Sequence, residues 1–489
     1  MRDRALATLV ALALGAQPLA PGIAQAQRLP DLGDESEAAV TPAQERKLGE
    51  SVVRQIRASG GYLDDPEVND YLNELGNRLV AAGSDKYDFE FFAVPDPSIN
   101  AFALPGGFIG VHTGLLLLAQ SESELASVLA HEITHVTQRH YTRSLGGQQR
   151  SLLYSLAALA VAIAASRSGS SSSGQATSAA IAASQALAIQ TQLNYTREYE
   201  YEADRIGFQR LSSAGFDTTS MATFMERLQK SSRFSDSNAP SYLRSHPITY
   251  ERIAEAQARA QDQPYRQFPD SLDFHLVRAL LKSYTGTDRE AVKYFENALA
   301  DRKFNDPVAT RYGLVAALLR AKDTRRAKQE LAALELQAPP HPMIDAMAGH
   351  VLMENGELAA AIARFEAALS RYPNKMQLVY DYPDALVKAD RHADAAKFVE
   401  QQLQRFPGNG QLHRIAAQVY GKQGRMLLQH LHQGEYYAWA GNLRGAVAQM
   451  ELAAKAGDGD FYQTSVVETR LRALRRDLAE QQAAMAKAG

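Results

Sequence analysis

The chain of 489 residues contains no cysteine. That excludes disulfide staples, thiol nucleophiles, cysteine-ligated zinc and a lipid-modified amino-terminal cysteine. Tryptophan occurs once. An excess of either charge is also missing, since 52 lysines and arginines face 55 aspartates and glutamates for a net charge of −3. Nucleic acid is therefore not expected as a partner, because proteins that bind it carry a basic excess. No stretch reaches the roughly 18–20 apolar residues that a membrane span needs, so no transmembrane anchor is expected either. What remains is the make-up of a folded globular protein, 45% hydrophobic and 22% charged, with length for about two to four domains.

The first residues read as an address label. Arg2 and Arg4 precede a short apolar stretch over 5–14, and Ala24-Gln25-Ala26 supplies a small-residue cleavage signature. Together these predict a secretory signal peptide over 1–26, too short in its apolar part to stay in a bilayer. In a Gram-negative source the mature product is expected in the periplasm. Residues 27–40 read as a flexible leading segment. Thr41-Pro42 then opens a helix, threonine as cap and proline in the first turn, and a second helix is expected from Pro66 through Leu79. Residues 89–94 and 100–111 read as strands, the latter interrupted by Gly106-Gly107. Ser121-x-x-Glu124 predicts a capping box at the head of a helix running to about Tyr141. The apolar run 152–165 reads as a buried or interfacial helix with possible peripheral membrane contact. A serine-rich link follows over 168–174, and a small-residue helix spans roughly 176–193.

Beyond residue 265 the sequence becomes helical throughout and repeats itself. Gly349, Asn355-Gly356, Ala361-Ile362, Phe365, Ala368 and Pro373 match the tetratricopeptide (TPR) pattern, in which small residues let two antiparallel helices approach and an aromatic ring fills the seam. Equivalent alanines at 291, 327, 361, 395 and 446 are spaced by 36, 34, 34 and 51 residues. The last interval equals one and a half repeats.

His131-Glu132-Ile133-Thr134-His135 carries the chemistry. Residues four apart on a helix advance about 400°, so both imidazoles leave one face a turn apart, a spacing suited to one zinc ion. Glu132, beside the first ligand, is placed to act as general base on a water. Chance gives this pattern in about 2% of chains of such length and composition, and a secreted, helical context lowers that further. The third ligand is ranked as follows. A metzincin would need glycine and histidine where Gln138 and Tyr141 stand, and His140 is out of register, so His140 is expected at the surface or behind a ligand. Glu200 on a second helix is the better candidate, with Glu198 and Glu202 as competing assignments. Asp204, one turn beyond Glu200, could accept the free ring N–H of a ligating histidine.

Ser123-Glu124-Leu125-Ala126, Val128 through His135, the Glu200-x-x-x-Asp204 pair and Ser245-His246-Pro247 together resemble one family of zinc metallopeptidases. It includes the CAAX prenyl protease and the heat-shock membrane protease, and its periplasmic branch carries a carboxy-terminal TPR array. The resemblance covers roughly residues 41–489. It implies an α+β, mostly helical fold with a gluzincin-like protease domain over 41–265 and an all-α TPR solenoid over 266–489. It also implies His131, His135 and Glu200 as ligands of one zinc ion per chain, Glu132 as general base and Asp204 as support. His246 matches a histidine that can sit over the metal as a fourth ligand and hold the enzyme latent, or else act in the transition state. The stretch 100–111 matches the strand edging the cleft, with Asn100, Ala101, Phe102, Ala103 and Gly107 as the expected substrate-binding edge.

The expected activity is therefore that of a zinc endopeptidase of the periplasm. Its expected clients are misfolded or stalled envelope proteins, in quality control and assembly of outer-membrane β-barrel proteins, with the TPR array docking clients or the assembly machinery. The rival reading is a TPR chaperone or scaffold whose protease site stays plugged by His246. A prenyl-protein processing role would need membrane helices, and none is present in the sequence.

Overall fold

The computed structural model describes residues 40–84, 87–144, 197–233, 241–263 and 268–488. The signal peptide, nearly all of the leading segment, and the expected helices and serine link between 152 and 193 lie outside the described residues. Helix α1 (Pro42–Ala58) starts as its sequence requires: the Thr41 hydroxyl accepts from the Gln44 N–H while the Gln44 side chain returns to the Thr41 N–H. It buries Gly49, Val52, Val53 and Ile56, one stripe at helical spacing. Helix α2 (Pro66–Ala81) is capped by Asp65 and buries Val68, Tyr71, Leu72, Leu75 and Leu79. Strands β1 (Glu90–Val94), β2 (Ala101–Leu104) and β3 (Phe108–His112) form one sheet in the order β1-β3-β2. β3 pairs parallel with β1 and antiparallel with β2. As the central strand, β3 is buried at every position, and its sequence is correspondingly apolar.

The turn between β2 and β3 requires its glycines. Gly106 and Gly107 have φ of +77° and +94°, and a Cβ at either would fall within 2.4 Å of backbone atoms of Arg46 or Asp88. Arg46 clips the turn by donating to the carbonyls of Gly106 and Asp88, both at 2.9 Å. The expected edge strand is thereby trimmed at both ends. Gly107 lies in the turn, its carbonyl held by the Glu90 N–H at 2.9 Å, and the Asn100 carbonyl is held by the His112 N–H at 2.9 Å. Ala101, Phe102 and Ala103 lie on β2 itself.

After the short α3 (Thr113–Leu118), α4 (Glu122–Thr137) runs through the middle of the domain, buried at every residue from Glu122 to Val136. Its capping box is only half formed. Ser121 Oγ accepts from the Glu124 N–H at 3.2 Å, but the Glu124 carboxylate takes the Gln120 N–H and an ion pair with Arg227 instead. The helix also stops earlier than expected. Gln138 and Arg139, the latter with φ of +52°, turn the chain before α5 (His140–Ser144). Arg139 is held there by Glu45 at 3.1 Å and by the Val40 carbonyl at 2.6 Å. Among the described residues, the remaining helices of this part are α6 (Arg197–Ser213), α7 (Thr219–Arg233), α8 (Ser241–Ser245) and α9 (Tyr250–Gln261).

Twelve further helices follow, α10 (Leu272–Ser283) to α21 (Phe461–Ala488). The repeat alanines 291, 327, 361, 395 and 446 are all buried. The seam is as the pattern demands: a Cβ on Gly349 would meet the Phe365 ring at 2.2 Å, and one on Gly313 would meet Phe295 at 2.4 Å. The 51-residue interval arises because two helices, α18 (Gly410–Lys422) and α19 (Met426–Trp439), separate α17 (His392–Arg405) from α20 (Leu443–Lys455).

Successive repeats all reach back to one short stretch of the amino-terminal part. Tyr284 and Tyr312 donate to Asp65 and Glu67, both at 2.8 Å, and the Met376 N–H donates to Asp70 at 3.0 Å. Lys375 pairs with Glu74 and Gln411 bonds Asp64. The Arg57 guanidinium lies 4.4 Å from the Trp439 ring centroid. The array therefore curls around α1 and α2, and one hydrophobic core runs without a break from Val68 to Val351.

This junction buries acids. Asp70 is pushed up to about 6, mainly by burial and against the lowering effect of the Met376 N–H and Lys375. A carboxyl whose folded value lies above its unfolded one favours the folded state at low pH, an advantage lost as pH rises from about 4 through 6. Asn at this position keeps the acceptor but never ionises. The melting temperature of Asp70→Asn is thus expected to rise relative to wild type as pH increases from 4 to 7, as calorimetry across that range would show.

Candidate metal centre

The centre is assembled by two helices crossing closely. On α6, Glu200, Ala203, Asp204, Gly207 and Leu211 form the buried stripe. Gly207 sits at the crossing, where an added Cβ would lie 3.2 Å from the backbone of Ala130 and His131. That approach brings the first two turns of α6 against the histidines of α4. His131 Nε2 and His135 Nε2 lie 2.9 Å apart, and they stand 3.5 and 3.4 Å from the two oxygens of Glu200. His246 joins them: its Nδ1 is 3.0 Å from Glu200 Oε1 and 3.3 Å from His131 Nε2. One ligand atom from each of these four buried residues falls within 4.8 Å of the others.

The electrostatics suit a cation. Burial opposes ionisation of Glu200, but His246, His131 and His135 outweigh it and hold the carboxyl well below its usual range. Burial drives His135 well below the usual imidazole value, which keeps its ring neutral as a ligand must be. His131 behaves differently. Burial lowers it, yet Asp204 and Glu200 more than compensate and raise it to about 10. Glu132 is fully buried, and neither carboxylate oxygen makes a hydrogen bond of ordinary geometry. Burial raises its pKa against the pull of His246 and His131. A buried carboxylate without such bonds is costly, and beside three imidazoles and a second carboxylate it marks a site built for an ion. Nitrogen and oxygen donors in this number fit zinc.

Around the centre, Asp204 Oδ1 lies 3.0 Å from His131 Nδ1, where it fixes the ring. Arg252 on α9 was not singled out from the sequence. It clamps Asp204 with Nε at 2.6 Å and Nη2 at 2.8 Å, and its Nη1 lies 2.8 Å from Glu200 Oε2. Only its position six residues after His246 hinted at it. His140 is not a surface residue: it is fully buried, with Nδ1 2.9 Å from His135 Nδ1 and Nε2 3.1 Å from Glu202. The positive φ of Arg139 produces this by swinging His140 back beneath the helix. Glu202 is thereby committed to His140 and Arg143, at 3.1 and 3.0 Å, and stands outside the four-residue cluster.

His246 follows α8. Its N–H donates to the Tyr242 carbonyl at 2.8 Å, and its ring stacks on Tyr242 with centroids 4.6 Å apart. Tyr242 in turn donates its N–H to the Ile99 carbonyl at 3.2 Å, just before β2. His246 Nε2 also stands 3.5 Å from Glu132 Oε1.

A helix carrying two histidines one turn apart, met by a glutamate from a second helix beside a three-stranded sheet, places the chain among the zinc metalloendopeptidases. The sequence profile of peptidase family M48 matches residues 64–260, and a tetratricopeptide-repeat profile matches residues 352–419. A putative β-barrel assembly-enhancing protease of Vibrio cholerae is 36% identical, covering 90% of this chain and 91% of its own. The β-barrel assembly-enhancing protease of Escherichia coli is 31% identical, covering 97% of each. A mitochondrial metalloendopeptidase of Schizosaccharomyces pombe is 27% identical over 43% of this chain and 59% of its own. The chain belongs to peptidase family M48, in the group of TPR-bearing β-barrel assembly-enhancing proteases. Among the described residues no helix is long and apolar enough to cross a membrane.

Replacing Arg252 by Gln removes both the clamp on Asp204 and the counter-charge beside Glu200. Zinc affinity is expected to fall about 10–100-fold, measured by competition with a chromogenic chelator.

Proposed function

We propose that the chain is a periplasmic endopeptidase acting in quality control and assembly of outer-membrane β-barrel proteins. The likeness over almost the full length to relatives named for β-barrel assembly supports the client class. In this reading His131, His135 and Glu200 hold one zinc ion per chain, Asp204 orients His131, and Glu132 is the general base. A zinc ion held there would polarise the scissile carbonyl and make a water acidic enough to lose its proton near neutral pH. The protein groups do the rest. A client segment pairs with the free edge of β2 at Ala101–Leu104 and lies across the centre. Glu132, whose carboxyl burial has made more basic, takes the proton of the attacking water and later gives it to the leaving amine. Misfolded or stalled envelope proteins are the clients, and the TPR array docks them or the assembly machinery. Residues 152–165 supply any peripheral membrane contact.

The observation that carries this reading is the convergence of four buried donor side chains beside a buried carboxylate that lacks ordinary hydrogen bonds. One of those donors also favours a latent resting state. His246, 3.0 Å from Glu200 and 3.5 Å from Glu132, would as a fourth ligand fill the position that a water needs on the metal. A scaffold whose proteolysis is rare is the second reading, and the same geometry supports it.

Two variants separate them. Purified protein is expected to carry one zinc per chain by elemental analysis. His246→Ala is expected to cleave an unfolded reporter protein faster than wild type. Glu132→Gln should retain zinc yet lose at least about a hundredfold in cleavage rate. If His246→Ala with full zinc leaves every unfolded reporter intact, the endopeptidase reading fails and the scaffold reading stands.

A further inference from the structure

Where α3 meets the first repeat, a cleft of about 330 Å³ opens between Leu117 and helices α10, α11 (Asp288–Asp301) and α12 (Pro307–Arg320). Its chemistry is lopsided. Arg278, Lys282 and Lys303 line it, beside His275, which faces Asp270 at 3.8 Å, and the lining holds one acid, Asp306. That acid is already engaged, because its side chain caps α12 by accepting the Ala309 N–H at 2.7 Å.

The cations are poorly compensated. Arg278 is partly buried; its Nη2 donates to the Leu117 carbonyl at 3.1 Å, and its buried Nε has no hydrogen-bond partner. No carboxylate of the described residues forms an ion pair with it. Burial lowers its pKa, with Asp270 as the leading opposing charge. Lys282 has no carboxylate partner among the described residues either; its Nζ lies 4.6 Å from the ring centroid of Tyr294, itself half exposed. Among the described residues Lys303 pairs only with Asp301, at 3.3 Å on open surface. A guanidinium stripped of part of its water and left without a counter-ion is favourable ground for a carboxylate, which it can grip with two parallel bonds.

The rest of the lining decides what brings that carboxylate. Leu117, Phe295, Phe304 and Ala298 add apolar residues to the same cleft. A free inorganic anion gains nothing from such a lining, whereas a chain terminus presents a carboxylate and an apolar side chain on the same residue. The volume lies at the lower end of small-ligand pockets, about 300–1,000 Å³, which suits a terminal residue or two and no folded element.

We propose that this cleft is a docking site for the carboxy terminus of a polypeptide ending in an apolar or aromatic residue. Arg278 and Lys282 hold the terminal carboxylate, and the Leu117–Phe295 wall receives the last side chain. Because Leu117 comes from the protease part and the other walls from the repeats, the occupant touches both parts of the molecule. The site is separate from the metal centre, and its occupancy can be read without proteolysis.

The test uses the full-length, zinc-loaded protein and fluorescence anisotropy with a short unstructured peptide ending in phenylalanine, labelled at its amino terminus. The free-acid peptide is expected to bind at least about tenfold more tightly than its carboxy-terminal amide. Arg278→Gln with Lys282→Gln is expected to bring the acid down to the level of the amide. Lys322→Gln, changing an exposed lysine outside the cleft, is expected to leave binding as it was. Should the double variant melt early through loss of the Leu117 contact, Lys282→Glu alone, which alters only a lysine over a ring, must still weaken the acid peptide. Equal binding of acid and amide overturns the proposal, as does undiminished binding by a folded Lys282→Glu. Phosphatidylglycerol vesicles that bind with the same dependence on Arg278 and Lys282, while the peptide does not, would overturn it in favour of a lipid headgroup. None of these outcomes bears on zinc content or on cleavage by the metal centre.

Discussion

A helix buried on every side must find an internal partner for each polar group it carries. Helix α4 carries Glu122, Glu124, His131, Glu132 and His135, all almost without exposure. Most of the surrounding architecture answers that demand. Tyr71 and Ser271 donate to Glu122 at 3.1 and 2.6 Å, which ties α2 and the first repeat to the head of the helix. Arg227 from α7 neutralises Glu124. Further along, α6 supplies Glu200 and Asp204, α9 supplies Arg252, and the segment after α8 supplies His246. Glu132 alone is left without an ordinary hydrogen bond, and it is the side chain to which the proposed chemistry assigns a proton. A carboxylate so weakly bonded amid so much satisfaction is the mark of a functional position.

Legibility in the sequence followed how local each feature is. Thr41 as cap, the helix start at Pro66, the two histidines four apart and the alanines spaced by 36, 34 and 34 residues are all encoded in short stretches of chain, and each stands where its pattern implied. Glu200 needed a choice among three glutamates, and it is the one that joins the histidines, on a helix whose close crossing at Gly207 is a long-range feature. Features made by distant partners were read less well. Arg252 acts on Asp204 across 48 residues of chain, and no local pattern announces it. Glu124 was expected to close a capping box, but Arg227, more than a hundred residues away, competes for it. For His140 the sequence leaves two places open, the surface or behind a ligand, and the left-handed turn at Arg139, which nothing short-range foretells, selects the second. Gly107 was assigned to an edge strand that its own positive φ prevents it from joining.

The repeat array contributes more than a surface for other proteins. The hydroxyls of Tyr284 and Tyr312 and the N–H of Met376 are spent on Asp65, Glu67 and Asp70, so part of the array's surface is occupied by its own chain. In this arrangement the repeats brace the helix that packs on β1, and β1 in turn pairs with the central strand beside the metal centre.

Trp439, the single tryptophan, lies against the Arg57 guanidinium, close to Tyr62 and Tyr436, and Gly441 just beyond it fits against the Arg54 carbonyl. The indole thus sits where the far end of the array returns to the first helix. Gly410 of the array also packs on this indole, since an added Cβ there would meet it at 2.1 Å; the emission of this one residue therefore senses both its seat in the repeats and the closure of the chain upon its first helix.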